Sequence, residues 1–297
     1  MKLGIALSGG GIKSFSQLPV IRKLKEDNLK LSAISGTSMG SVIASLVASG
    51  IDIKIIEEKL IEIENRLSKD KTLFLPSFKL LPFSKERLEG GYVDGSLLQG
   101  MLQEIFDEFK IKHISDVKIP LAITSVDIVT GKLVVFVSHP KLFVNPDPNW
   151  IVISDVDLSL AVRASCSFPI VISAVPYGDY KLIDGGVIMN LPLPLLKNYQ
   201  VDRTIAVTMH SLPKMEDQLK FTNTLTRVLD IQRVEMDRYF VKDADVVINI
   251  PLNEVQIFDV GKGHFTIEAG EKVIKKNDED IFADILKRRW TRFIKLK

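Results

Sequence analysis

The chain has 297 residues, enough to bury a large core as one large domain or two small ones. Hydrophobic residues make up 46% and charged residues 26%, a balance that excludes an intrinsically disordered chain. With 39 basic and 37 acidic residues the net charge is +2, so bulk charge selects no partner, and nucleic acid is not among those expected.

A single cysteine, Cys166, excludes an intrachain disulfide and fits a reducing compartment. No stretch approaches the roughly eighteen apolar residues needed to span a bilayer, and a cytoplasmic protein is expected. The basic-then-apolar start, Met1 to Leu7, is shorter than a signal-peptide core and is interrupted by glycines, so it reads as a first buried strand.

In chain order, Leu3–Leu7 is a predicted buried strand, followed by the loop Gly9-Gly10-Gly11 and a helix from about Phe15 to Asn28. Leu18, Ile21 and Leu24 recur there at helical spacing, and Pro19 sits in the first turn, where its missing N–H costs nothing. Leu31–Ser35 is a second strand, and Ser41–Ala48 an apolar helix ended by Gly50. Strand, tight loop and helix, twice over, is the grammar of a parallel sheet covered by helices. Ile51–Leu67 reads as an amphipathic helix with Ile55, Ile56, Leu60, Ile63 and Leu67 on one face.

Thr72–Phe83 is apolar, aromatic and broken by Pro76 and Pro82. It reads either as a loop packed on the core or as an apolar flap over a lipid-binding cleft. A helix is predicted over Ser96–Phe109, and a strand pair over Leu121–Asp127 and Lys132–Ser138 around Thr130-Gly131. Strands follow at Thr204–Met209 and Val246–Ile250, with helix over Gln218–Lys242 and one or two closing helices over Glu268–Lys297. No repeat or linker interrupts the pattern, so 1–297 is expected to form one domain, its motifs within about 3–210 and its helical part over about 215–297. The last eleven residues, Lys287 to Lys297, hold six Lys or Arg and no acid. Phe282, Leu286, Trp290 and Phe293 lie opposite Lys287, Arg288, Arg292 and Lys295, either to dock on an anionic bilayer or as a packed closing helix with a solvated basic edge.

The chemistry begins at Gly36-Thr37-Ser38-Met39-Gly40, which has the spacing of a nucleophile elbow. Side chains at the flanking glycines would collide with neighbouring elements, and the helix N-terminus after Ser38 favours the negative charge that develops on attack. The Gly9–Gly11 loop lacks both Walker A spacing and the dinucleotide G-x-G-x-x-G pattern. It remains a phosphate cradle or an oxyanion hole, with Lys13 adding positive charge or lying solvated at the surface. The base is a histidine or an acid. Of His113, His139, His210 and His264, the order Ser-Asp-His admits His210 or His264. Asp184 ends a short apolar run and precedes Gly185-Gly186, where a strand gives way to a tight exposed turn.

Together, Gly9-Gly10-Gly11-x-Lys13, Gly36-x-Ser38-x-Gly40 and Asp184-Gly185-Gly186 resemble the patatin-like phospholipase family in motif, order and spacing. Ala164-Ser165-Cys166-Ser167-Phe168-Pro169 resembles the Ala-Ser-x-x-x-Pro block these proteins carry before the Asp-Gly-Gly turn, and Asn190-Leu191-Pro192 their Asn-x-Pro. One position departs: Ser14 stands where the family's loop ends in glycine. The resemblance spans about residues 3–210. It implies a three-layer α/β fold with a mostly parallel central sheet covered by helices on both faces. It also implies a Ser38–Asp184 dyad without histidine, an oxyanion hole from Gly9, Gly10 and Gly11, and supporting roles for Lys13, Gly36, Gly40, Gly185 and Gly186. The substrates implied are lipid acyl esters, with no metal or cofactor; peripheral membrane contact is the expectation that Thr72–Phe83 and the basic tail helix would add. A Ser-His-Asp esterase and a non-catalytic lipid-binding protein stand as the other readings.

Overall fold

The run Leu-Gly-Ile-Ala-Leu has no polar residue to turn toward water, and the strand it forms, β1 (Leu3–Leu7), is buried at all five positions. The computed structural model describes residues 1–69, 89–212 and 221–286. Thr72–Phe83 and Lys287–Lys297 lie outside the described residues. After β1 come a 3-10 turn (Gly11–Gln17), α1 (Leu18–Glu26), β2 (Leu31–Thr37), α2 (Met39–Ala48) and α3 (Ile53–Lys69). Then follow β3 (Gly91–Val93), α4 (Ser96–Glu108), β4 (Leu121–Asp127), β5 (Lys132–Val137), β6 (Ile151–Ile153) and α5 (Leu158–Ser165). The remainder is β7 (Ile170–Ile172), β8 (Val175–Tyr177), β9 (Tyr180–Asp184), α6 (Leu193–Asn198), β10 (Arg203–Thr208), α7 (Phe221–Phe240), β11 (Val246–Asn249) and α8 (Gly263–Leu286).

The main sheet runs β11-β10-β1-β2-β4-β5-β6, with β9 added to β4 and β8 to β9. From β11 to β4 every pairing is parallel. β4 turns antiparallel to β5 on one edge and to β9 on the other. A separate ribbon pairs β3 with β7. Each face of the sheet carries its own core. On one, Ile5, Leu7, Ile34, Ile123 and Val207 pack with Leu24 of α1, Leu46 of α2, Leu60 of α3, Phe106 of α4 and Val162 of α5. Each such fully buried Leu or Ile contributes about 1.5–3 kcal/mol. On the other face the strands present Ala6, Ala33, Ala122 and Ala206, and these short side chains let Leu193, Leu195 and Leu196 of α6 lie close to the sheet. The result is the expected α/β architecture: a mostly parallel sheet between two helical layers.

Several local expectations change. The predicted helix from Phe15 begins as a 3-10 turn, and α1 proper starts at Leu18 with Pro19 in its first turn. The buried stripe of α3 is Ile53, Ile56, Leu60, Ile63 and Glu64; it starts two residues earlier than read from sequence, and Ile55 is turned outward. α2 begins at Met39 rather than Ser41, because the Ser38 carbonyl already accepts from Ser41 N–H. β3, β6, β7, β8, α5 and α6 were not anticipated. Three-residue strands and helices of two turns are too short for hydrophobic periodicity to register.

Candidate active site

β4 brings the two catalytic candidates together. β2 runs parallel to β4 and ends with Thr37 opposite Thr124. β9 runs antiparallel and ends with Asp184 opposite Ser125, the next residue. Since β5 occupies the other edge of β4, β2 and β9 meet end to end along one edge. Ser38 leaves one strand where Asp184 arrives on the other.

Ser38 has φ 52° and ψ −131°, a backbone conformation that costs a non-glycine residue about 1–3 kcal/mol. The surroundings enforce it. A Cβ at Gly40 would stand 2.5 Å from Leu7 O and 2.6 Å from Ser8 O, so only glycine lets the elbow press against the end of β1. The Ser38 N–H donates to Ser165 Oγ at 2.8 Å, and Thr37 Oγ1 donates to Met189 O at 2.9 Å.

Asp184 is 3% exposed, which corrects the expectation of an exposed turn. Its N–H donates to Ser167 O at 2.9 Å, and its Oδ1 accepts from Gly186 N–H at 2.7 Å. Oδ2 is buried with no partner of ordinary hydrogen-bond geometry among the described residues. Burial pushes the carboxyl above the usual range, while the approaching Ser38 hydroxyl, the Gly186 N–H and the Arg233 charge pull it back. Oδ2 is thus the oxygen left unengaged among the described residues.

Sequence reasoning missed Arg163, although it directly precedes the Ala164-Ser165 block. It is 3% exposed, donates through Nε to Gly95 O at 2.8 Å and through Nη2 to Ser173 O at 2.9 Å, and bonds Ser167 Oγ through Nη1. Arg163 thereby ties the start of α4 and the β7–β8 loop to the residue that holds Asp184. Burial pushes its guanidinium down to about 10.

The glycine loop separates two cavities. The first, about 110 Å³, opens on Ser38 and Gly11 and is walled by Phe15, Leu98, Phe168 and Ile172. The second, about 40 Å³, is walled by Gly9, Gly10, Lys13, His210, Arg233 and Asp237. The Gly9 N–H already donates to Asn190 O at 3.2 Å, so the expected set of three glycine donors is corrected to two. The N–H groups of Gly10 and Gly11 have no acceptor among the described residues. Lys13 is 8% exposed, not a solvated surface lysine. Burial lowers its pKa, with the Asp230 charge opposing.

The alternative bases fall elsewhere. His210 faces Asp237, Nε2 to Oδ2 at 3.4 Å, and lines the second cavity rather than the one holding Ser38. His264 is exposed at the start of α8, among Arg22, Glu268 and Glu271. Arg233 and Asp237 of α7 were also missed; each acts across the fold, and no local motif surrounds either.

A family model described as patatin-like phospholipase matches residues 5–197. The uncharacterized protein YqhO of Bacillus subtilis is 26% identical over 209 residues, covering 68% of this chain and 69% of that protein. The uncharacterized protein R571 of Acanthamoeba polyphaga mimivirus is 25% identical over 291 residues, covering 92% of each. Among solved structures, VipD from Legionella pneumophila aligns with 94% of this chain and 67% of its own, at 14% identity and a TM-score of 0.49. No helix among the described residues is long and apolar enough to cross a membrane.

Proposed function

The chain belongs to the patatin-like phospholipase family, and from that premise we propose that it is a serine acyl hydrolase cleaving fatty-acyl esters of lipids through Ser38 and Asp184. The observation that carries this reading is the meeting of the strained Ser38 elbow with a buried carboxylate on one edge of β4, beside an apolar cavity. An aspartate of ordinary pKa, about 3.9, is a weak acceptor for a serine proton. Burial makes Asp184 more basic, and Oδ2 has no competing partner.

In the first half-reaction Ser38 Oγ attacks the ester carbonyl as Asp184 takes its proton. The developing oxyanion is met by the Gly10 and Gly11 N–H groups and by the N-terminus of α2; losing one such donor costs about 3 kcal/mol of transition-state stabilisation. The alcohol leaves with the proton held by Asp184, and an acyl-Ser38 remains. The acyl chain lies in the cavity walled by Phe15, Leu98, Phe168 and Ile172. The reaction requires no metal or cofactor.

The test is labelling and turnover. A fluorophosphonate probe is expected to label the protein, and Ser38→Ala to abolish both labelling and hydrolysis of an acyl p-nitrophenyl ester. Asp184→Asn is expected to fold and to lose turnover by about 10⁴-fold. Labelling that persists in Ser38→Ala, or full activity in Asp184→Asn, would remove the dyad. Loss of turnover in His210→Ala with Asp184→Asn active would install the histidine instead.

A further inference from the structure

Asn190, which follows the Asp-Gly-Gly turn, is 4% exposed and has an amide whose orientation can be read from its partners. Nδ2 donates to Asp237 Oδ2 at 2.7 Å and to Gly9 O at 3.3 Å. A carboxylate and a carbonyl only accept, so the nitrogen must face them and Oδ1 must face the other way. That other way is toward the faces of Gly9 and Gly186, at the edge of the polar cavity that Asn190 lines. A methyl-sized position on Gly9 would lie 2.7 Å from Asn190 Oδ1 and 2.9 Å from Ser38 Cβ. The same position on Gly186 would lie 3.0 Å from Asp184 Oδ1 and 3.1 Å from Asn190 Oδ1. Asn190 Oδ1 therefore borders both glycine faces that Ser38 and Asp184 border, and it has no hydrogen-bond partner among the described residues.

A buried amide oxygen without a donor is costly unless something it accepts from belongs there. It is clamped from α7, beyond the span matched by the family model, by a carboxylate only 2% exposed. We propose that Asn190 Oδ1 accepts a hydrogen bond from the water that hydrolyses acyl-Ser38, holding it between Asp184 and the acyl carbon, and that Asp237 is the positioning residue that keeps the amide turned this way. The inference rests on the acyl-serine reading above. In the step it serves, the water oxygen bonds to the acyl carbon while one water proton passes to Asp184 Oδ2. The tetrahedral adduct then collapses, its C–Oγ bond breaks, and Ser38 Oγ takes the proton from Asp184 as the fatty acid leaves. The second water proton stays on the new carboxyl group, and in the attack it is the one donated to Asn190 Oδ1.

The role belongs to deacylation, which makes it separable from the glycine loop that Asn190 also touches. Burst kinetics with a p-nitrophenyl ester, followed by intact-protein mass spectrometry, read the two half-reactions apart. In Asn190→Ala the burst is expected to persist within about threefold while deacylation falls about 10²-fold, and acyl-Ser38 accumulates. Asp237→Asn is nearly isosteric but lets either end of its amide face Asn190, so the orientation is no longer fixed; deacylation is expected to fall about tenfold with acylation retained. Acylation and deacylation falling together would assign Asn190 to the glycine loop alone and overturn the proposal, as would unchanged deacylation in either variant. If Asn190→Ala does not fold, Asp237→Asn decides alone. Absence of any acyl-Ser38 in the unsubstituted protein would instead remove the dyad reading on which the proposal stands.

Discussion

The two cavities flanking the glycine loop differ in almost every physical respect. The one beside Ser38 is walled by Phe15, Leu98, Phe168 and Ile172. The other, beyond Gly9 and Gly10, gathers Lys13, His210, Arg233 and Asp237. The apolar side gains its walls from elements the sheet already packs for stability, so burying a greasy chain there extends the core. The polar side is assembled by α7, and its side chains carry buried atoms without partners among the described residues: Ser8 Oγ, Arg233 Nε and Asp237 Oδ1. Leaving such atoms unpaired costs about 1–3 kcal/mol each, which a structure bears where orientation is needed rather than stability. In the proposed reaction the loop makes the difference useful: one side would receive the acyl chain, and the other would fix the groups around the ester.

Of the changes that probe the partition between the cavities, the largest effect is expected where the elbow touches β1. Gly40→Ala places a methyl against two backbone oxygens, Leu7 O and Ser8 O, that cannot rotate away. It is expected to cost about 1–3 kcal/mol of stability and, by displacing Ser38 by a fraction of an ångström, about 10²-fold in turnover. Gly10→Ala is the contrast, because its Cβ meets Met209 Cε at 2.9 Å, the end of a flexible side chain. Paired thermal melts and ester kinetics on the two variants check this; equal losses would show that the loop is not a rigid partition.

A smaller effect separates the cavities by substrate. Leu98→Phe adds bulk to the apolar wall and is expected to lower kcat/KM for long-chain esters about tenfold relative to a butyryl ester. A uniform loss across chain lengths would place the acyl chain elsewhere. Asp184→Asn gives a different readout, stability against pH. Burial raises the carboxyl's folded pKa above its unfolded value, so the protonated group costs nothing below the unfolded pKa, and stability is lost as pH rises through the folded pKa. The variant, which carries no charge to bury, is expected to melt higher than the parent at pH 7 and equally at about pH 3. A lower melting point at pH 7 would show the ionised carboxylate to be stabilising.

How much of this was legible in the sequence depends on whether the physical cause was local. The elbow was, because its glycines flank Ser38 directly and Gly36 is demanded by Gly40 and Ser41 next to it, although what demands Gly40 is the end of β1, at Leu7 and Ser8. Asp184 was, because Gly185 and Gly186 follow it directly. The parallel sheet was legible from repeated strand-loop-helix spacing. Arg163 was not, since a buried arginine in Leu158–Ser165 looks like an ordinary helical cation until Gly95, Ser167 and Ser173 close around it. Asp237 was not, because its partner Asn190 is 47 residues away and only the packing of α7 joins them. The loss of Gly9 as a free donor was equally invisible: the acceptor is a backbone carbonyl, which no sequence pattern marks.

The smallest expected effect is a reaction that does not happen, and it tests whether the apolar cavity keeps water from its own wall. Cys166 lines that cavity together with Ser38. Burial pushes its thiol far above the usual range, reinforced by the Asp184 charge, while the nearby Arg163 charge and the Ser41 and Ser38 hydroxyls favour the thiolate only weakly. Since alkylation proceeds through the thiolate, iodoacetamide at pH 8 is expected to leave the folded protein unmodified over an hour and to modify Cys166 fully once denaturant is added. Mass spectrometry reads both states on the same chain, which has no second cysteine to confuse the count. Modification of the folded protein at the rate of a free thiol would mean that water reaches the cavity wall beside Ser38. The contrast between a dry acyl side and a polar orienting side would then fail where it matters most.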